Sequence, residues 1–194
     1  MRSEAPQFAD QLAGELARRG AIVDGHFRLS SGRHSGRFIQ KFRMLEDPRL
    51  VELVARAIAD RARVYEPTVV VSAAVGGSVL GYEVARQLGT LALFVEKERD
   101  VPALRRGFRL GPGDRALVVE DVVTTGLSIR EVIDVVRAAG ASIGAVAIVV
   151  QREPVDFGIP TIVLLEVPVE SYEPADCPLC ARGVPLTDPG SRRA

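Results

Sequence analysis

From residue 68 onward the chain alternates short, unbroken aliphatic runs with amphipathic stretches, and this pattern restricts the possible folds more than any other feature. The runs are "TVVVS" (68–72), "LALFVE" (91–96), "RALVVE" (115–120), "SIGAVAIVVQ" (142–151) and "PTIVLLEV" (160–167). A strand with one face in water alternates apolar and polar residues, whereas a continuous apolar run needs cover on both faces. Such strands, separated by helices, predict an α/β fold built on a parallel sheet of about five strands flanked by helices.

The helical stretches carry their own start and stop signals. Phe8, Leu12 and Leu16 recur four apart over residues 6–19, with Gly20 as a stop. Asp47-Pro48 supplies an N-cap and a first-turn proline for a second helix, whose Leu50, Leu53, Val54, Ala57 and Ile58 share one face. A third spans Gly76 to Leu88. A fourth runs from Ser128 to Ala138: Ser128 and Glu131 read as a capping box, Ile129, Val132, Ile133 and Val136 form its stripe, and Gly140 ends it. Residues 21–46 and 153–194 are less regular. They are expected to form a small cap, or hood, over the carboxyl edge of a core at about 47–152, where open α/β sheets bind ligands. A chain of 194 residues accommodates this as one domain, 1–194.

Composition excludes some classes of partner. Lys+Arg and Asp+Glu number 25 each, so the formal charge is zero and no broad basic surface offers itself to nucleic acid or an anionic membrane. No apolar stretch reaches the roughly 18 residues of a membrane span, and "MRSEAPQFADQLAGEL" has no leader pattern. Two cysteines do not make a disulfide scaffold, so a soluble cytoplasmic protein is expected. Only Lys41 and Lys97 are lysines, leaving 23 of the 25 basic residues as arginine. A lysine here is an exception that asks for a reason.

The segment "VVEDVVTTG" (118–126) places Glu120 and Asp121 at the end of an apolar run, then Thr124, Thr125 and Gly126 in a turn before a helix. Hydroxyls and backbone N–H groups at a helix N-terminus favour an anion such as phosphate. The acids cannot hold that anion, but they can accept hydrogen bonds from a diol beside it, so the fitting ligand is a ribose 5-phosphate unit. Acids and threonines also occur in ordinary strand-to-helix turns. Placement between a buried strand and a well-signalled helix favours the ligand, and the spacing is not that of a Walker A loop.

This segment resembles the phosphoribosyl pyrophosphate (PRPP) signature of the type I phosphoribosyltransferases. The resemblance implies that Glu120 and Asp121 hold the ribose hydroxyls and that Val122, Val123, Thr124, Thr125, Gly126, Leu127 and Ser128 hold the 5-phosphate. It also implies that Ala74, Val75, Gly76 and Gly77, in "AAVGG", form a pyrophosphate loop. The segment "FVEKERDVPALRRGF" then corresponds to a flexible catalytic loop into which Lys97 leads from a strand end. Catalysis falls to Lys97, Glu120 and Asp121, with Mg²⁺ arriving on PRPP and no direct protein ligand for it. The family further implies a homodimer that shares the 97–106 loop between subunits.

The segment "HFRLSSGRHSGRFIQ" (26–40) is similar to the N-terminal signature of orotate phosphoribosyltransferases. Ser30 and Phe38 are the implied base contacts, with Thr124, and Arg152 is the cation for the orotate carboxylate, suited to it by its planar fork. The implied reaction yields orotidine 5′-phosphate and pyrophosphate in pyrimidine biosynthesis. A purine phosphoribosyltransferase or a non-catalytic PRPP-sensing regulator are the alternatives. The chain departs from the pattern in two places: some orotate enzymes have a lysine where Ser30 stands, for which Lys41 is a candidate substitute, and residues 98–106 offer Arg99, Arg105 and Arg106 in place of the usual loop residues.

His26 and His34 are read as structural. The pair in "CPLC", Cys177 and Cys180, is read first as a plain turn, with half a metal site completed across a dimer, or a redox pair, as alternatives.

Overall fold

The computed structural model describes residues 4–29 and 31–189, so the predicted base contact Ser30 lies outside the described residues. Six strands form the main sheet: β3 (Val69–Ala73), β4 (Leu91–Glu98), β5 (Val101–Leu104), β6 (Arg115–Val123), β7 (Ser142–Gln151) and β8 (Thr161–Glu166). Their order is β5-β4-β3-β6-β7-β8. The five that correspond to the aliphatic runs are parallel, as expected, and β5 adds an antiparallel edge against β4.

Two boundaries differ from the sequence reading. Lys97 does not leave a strand into a loop; it lies within β4, opposite Pro102. Arg99 and Asp100, both at positive φ (50° and 66°), make the two-residue turn of a β4–β5 hairpin, the backbone geometry that matches strand twist. The charged sequence hid this strand because an edge strand is held by backbone hydrogen bonds and needs little apolar surface. The strand carrying the acids also does not end at Glu120-Asp121, since β6 and β7 stay paired through Val123 and Gln151.

Successive residues of the central strands serve opposite faces. Val70 joins the core beneath α1 (Glu4–Arg18), α3 (Pro48–Ala62) and α4 (Gly76–Leu88). Its neighbours Val69 and Val71 pack with Ile129, Val132, Ile133 and Val136 of α5 (Leu127–Ala138). Burial on both faces explains why these strands contain almost no polar residue. Asp47 caps α3 as predicted, accepting from the Arg49 N–H at 2.8 Å. The capping box on α5 does not form: Gly126 (φ 78°) is its N-cap and no side chain caps it. Ser128 therefore lies one residue inside the helix, and Glu131 is left for another partner.

The hood is an antiparallel sheet of β1 (Ile22–Arg28), β2 (His34–Ile39) and β9 (Ser171–Tyr172), joined to the core by the short α2 (Phe42–Leu45). Residues after 153 divide between the two sheets, because β8 is an edge strand of the core and only β9 and the segment following it join the hood. That segment contains α6 (Pro178–Ala181) and reaches back to β1, where the Thr187 N–H donates to the His26 carbonyl at 2.8 Å and the Arg28 N–H donates to the Thr187 carbonyl at 2.9 Å.

Candidate active site

The carboxyl ends of β3 and β6 lie side by side and each feeds a helix, so the N-termini of α4 and α5 open on the same edge of the sheet. The site is assembled there.

Asp121 is fully buried. Its Oδ1 accepts from the Val122 N–H at 2.7 Å and from Lys41 Nζ at 3.2 Å. Oδ2 lies 3.1 Å from the same ammonium but accepts no hydrogen bond. Glu120 is nearly as buried, and its Oε1 accepts from the Asp121 N–H at 3.1 Å. Burial, followed by the neighbouring Asp121 charge, pushes the Glu120 carboxyl up to about 8. Two adjacent buried carboxyls with a single ammonium nearby disfavour a second negative charge, which is why the shift falls on Glu120.

The pyrophosphate-loop candidate meets this pair directly. A Cβ on Gly76 would stand 2.1 Å from Asp121 Oδ2 and 3.1 Å from Lys41 Nζ, and one on Gly77 would stand 3.4 Å from Glu120 Oε1. At Gly76 only backbone fits against Asp121. Val75 is exposed, and the peptide joining Ala74 to it is cis.

Residues 122–128 curl around a concavity of about 50 Å³. Thr124, Thr125, Leu127 and Ser128 are exposed there. The first α5 hydrogen bond, from the Arg130 N–H to the Gly126 carbonyl, leaves the N–H groups before it directed at the turn. A Cβ on Gly126 would lie 2.9 Å from Phe157 and Val155, so glycine is required by space as well as by φ.

Lys97 lines a neighbouring hollow of about 360 Å³ together with Ala74, Val75 and Ser128. Its ammonium donates to Glu131 at 2.7 Å. Arg106 makes a two-armed pair with Glu96 (2.6 and 2.9 Å), and Arg105 pairs with Glu98 at 3.4 Å, so both arginines brace the hairpin. Arg152 follows β7, its N–H donating to the Val123 carbonyl at 2.9 Å. Its side chain is half-buried, burial lowers the guanidinium pKa, and Nε is buried without a partner. Phe38 packs on Phe27 in the hood, with ring centres 5.7 Å apart.

Sequence reasoning missed two features. Lys41 was only a candidate substitute for a lysine absent at position 30, yet it is the counter-ion of Asp121; both lysines of this arginine-rich chain thus reach the candidate site. The second lies in the hood. Cys177 and Cys180 do not stand alone, because His26 and His34 come to them within the same chain.

Residues 43–157 match the phosphoribosyl transferase domain. The fold and the acid-and-hydroxyl site therefore define a phosphoribosyltransferase. Over 186 residues the chain is 46% identical to the orotate phosphoribosyltransferase of Pelotomaculum thermopropionicum, covering 95% of this chain and 98% of that one. Identity to the Thermotoga maritima orotate phosphoribosyltransferase is 45% over 179 residues (91% and 96% covered). The crystal structure of orotate phosphoribosyltransferase from Aeropyrum pernix superposes with a TM-score of 0.69 at 28% identity, covering 80% of this chain and 93% of that one. The chain belongs to the orotate phosphoribosyltransferase family. An adenine phosphoribosyltransferase from Thermoanaerobacter pseudethanolicus shares the fold (TM-score 0.59, 18% identity, 68% and 88% covered), so fold alone does not select the base.

Proposed function

We propose that the chain transfers the 5-phosphoribosyl group from PRPP to orotate, giving orotidine 5′-phosphate and pyrophosphate. The observation that carries this reading is the buried Glu120–Asp121 pair beside an exposed hydroxyl turn at the start of α5. Displacement at the anomeric carbon builds positive charge on the ribose and negative charge on the departing pyrophosphate, so catalysis requires positioning and charge control.

The turn 122–128 binds the 5-phosphate through its hydroxyls and the orphan N–H groups of α5. Glu120 and Asp121 orient the ribose hydroxyls, and the negative charge carried by the pair favours the positive charge developing there. Lys97 exchanges Glu131 for the pyrophosphate, which lies along residues 74–77. Arg152 turns its unpartnered guanidinium edge to the orotate carboxylate, with Thr124, Ser30 and Phe38 as the remaining base contacts. The carboxyls of Glu120 and Asp121 and the exposed hydroxyls of the turn are hard oxygen groups that suit a Mg²⁺ arriving on PRPP and not held by the protein directly. Bound with PRPP, Mg²⁺ supplies charge neutralisation of the pyrophosphate.

The reading includes a homodimer in which the β4–β5 hairpin, with Arg99 exposed at its tip, reaches the neighbouring chain; sedimentation at micromolar concentration distinguishes dimer from monomer. Among the described residues no helix is long and apolar enough to cross a membrane.

Turnover and PRPP affinity, measured on wild type and Asp121→Asn, test the enzyme reading. Orotate-dependent pyrophosphate release by wild type, sharply reduced in the variant, supports it. Tight PRPP binding by wild type without turnover on any base makes the chain a PRPP sensor instead.

A further inference from the structure

The hood holds a second cluster that the transfer reaction does not use. His26 comes from β1, His34 from β2, and Cys177 and Cys180 bracket the start of α6, more than 130 residues later in the chain. One ligand atom from each lies within 4.8 Å of all the others. His26, His34 and Cys177 are buried, and Cys180 is exposed. We propose that these four side chains bind a single Zn²⁺ in a tetrahedral Cys₂His₂ site that staples the C-terminal segment to the hood hairpin.

The spacing is that of a coordination shell. His26 Nε2 lies 3.2 Å from His34 Nδ1, 3.5 Å from Cys177 Sγ and 3.7 Å from Cys180 Sγ, and Cys180 Sγ lies 3.2 Å from His34 Nδ1. A tetrahedron with ordinary zinc–nitrogen and zinc–sulfur bonds has edges of about 3.3 Å between nitrogens and about 3.6 Å between nitrogen and sulfur. Hydrogen bonding alone accounts poorly for the same arrangement. A neutral imidazole nitrogen has one lone pair, yet three polar groups converge on His26 Nε2.

The supporting contacts point the ligands inward. His26 Nδ1 lies 2.8 Å from the Val184 carbonyl, which can only accept. Nδ1 therefore carries the proton and Nε2 presents its lone pair to the cluster, the outer-shell arrangement that orients metal-bound histidines. Gly183, at φ 68°, turns the chain so that this carbonyl faces back. Across from it, β1 carries one extra residue between Asp24 and Phe27 relative to β2, a bulge that re-aims His26. A Cβ on Gly25 would lie 2.7 Å from the tip of the Phe27 ring, which would have to move to admit a side chain there.

The chemistry selects the ion. Two thiolates and two neutral imidazoles around one divalent cation sum to zero charge, which suits a largely buried position. Sulfur with nitrogen in tetrahedral geometry is the donor set of structural zinc, and four protein ligands leave no open position for substrate. On binding, the two thiols release two protons to solvent. The hood sheet is small, and its third strand, β9, has only two residues. A cross-link between residues so distant in sequence gives that layer a stability its apolar core does not supply.

The test uses the full-length, tag-free protein purified without chelators. Metal analysis should find about one zinc per chain in wild type and less than about a tenth in Cys180→Ser, chosen because Cys180 is exposed and contributes least to packing. Protein stripped and reloaded with Co²⁺ should show the visible absorption of a tetrahedral sulfur-nitrogen site, absent in the same variant. Circular dichroism and the affinity for PRPP, which binds elsewhere, establish that the variant is folded; should it unfold, Cys180→His, which keeps a ligand, should retain zinc. Wild type without zinc or a Co²⁺ spectrum, zinc content unchanged in Cys180→Ser, or a native mass lighter by the two hydrogens of a Cys177–Cys180 disulfide would each overturn the proposal.

Discussion

Replacing Glu120 with glutamine should stabilise the ligand-free protein, by an amount set by pH. The folded chain holds this carboxyl at about 8 against an ordinary value of 4.5. A raised carboxyl pKa means that the unfolded chain ionises first. The favourable contribution of the protonated group is complete below pH 4.5 and is lost as pH rises through about 8. Each pH unit between those values costs about 1.4 kcal/mol, which amounts to under about 1 kcal/mol at pH 5, about 3 at pH 7 and about 5 above pH 8. Glutamine keeps the shape and the oxygen that accepts from the Asp121 N–H but never ionises, so Glu120→Gln removes this loss. For a domain of this size, about 3 kcal/mol corresponds to roughly 6–12 °C in Tm. Calorimetric Tm values for both proteins, ligand-free, at pH 5, 6, 7 and 8 should diverge steadily in favour of the variant. A gap that does not change with pH, or a variant less stable than wild type at pH 8, would show that Glu120 does not carry the raised pKa. The same variant should turn over poorly, which identifies the buried carboxyl as a group kept for function against stability.

Three further substitutions separate the parts of the site. Lys97→Ala breaks an exposed pair worth at most about 1 kcal/mol, so its Tm should hardly move while kcat falls by about 100-fold or more; wild-type kcat would remove Lys97 from the reaction. Gly76→Ala drives a methyl against Asp121 and should cost about 1–3 kcal/mol and weaken PRPP binding at least about tenfold, with unchanged PRPP affinity contradicting the proximity seen in the structure. Arg152→Ala should raise the KM for orotate by about 10–100-fold and leave PRPP affinity alone; a matching loss of PRPP affinity would place the guanidinium on phosphate.

The parallel core was legible because burial on both faces writes itself into sequence: each of the five aliphatic runs is a strand, and β7 has the expected boundaries. The acid-and-hydroxyl turn was legible because two adjacent acids in a buried strand, followed by hydroxyls and glycine before a helix, are costly to bury without a use. What escaped detection depends on contacts between distant residues. β5 is charged at its flanks and held by backbone pairing, so it carries no periodic signal. Glu131 sits where a capping box would place it, but Gly126 starts the helix earlier and frees it for Lys97. The hood cluster was the largest miss, since "CPLC" shows two ligands and the other two lie about 150 residues away on a hairpin whose bulge is invisible in the sequence. The scarcity of lysine was a usable signal, drawn on for Lys97 and left unused for Lys41, whose ammonium meets Asp121 only in three dimensions.

The site joins PRPP to orotate in preference to any other base. The most direct test follows the loss of orotate absorbance after adding PRPP and Mg²⁺ to the purified protein, with hypoxanthine, adenine and uracil as competing acceptors. Orotate should be consumed rapidly, with one pyrophosphate released per orotate and little inhibition by the other three bases. Consumption of a purine in preference to orotate, or no consumption of any base, would contradict this reading.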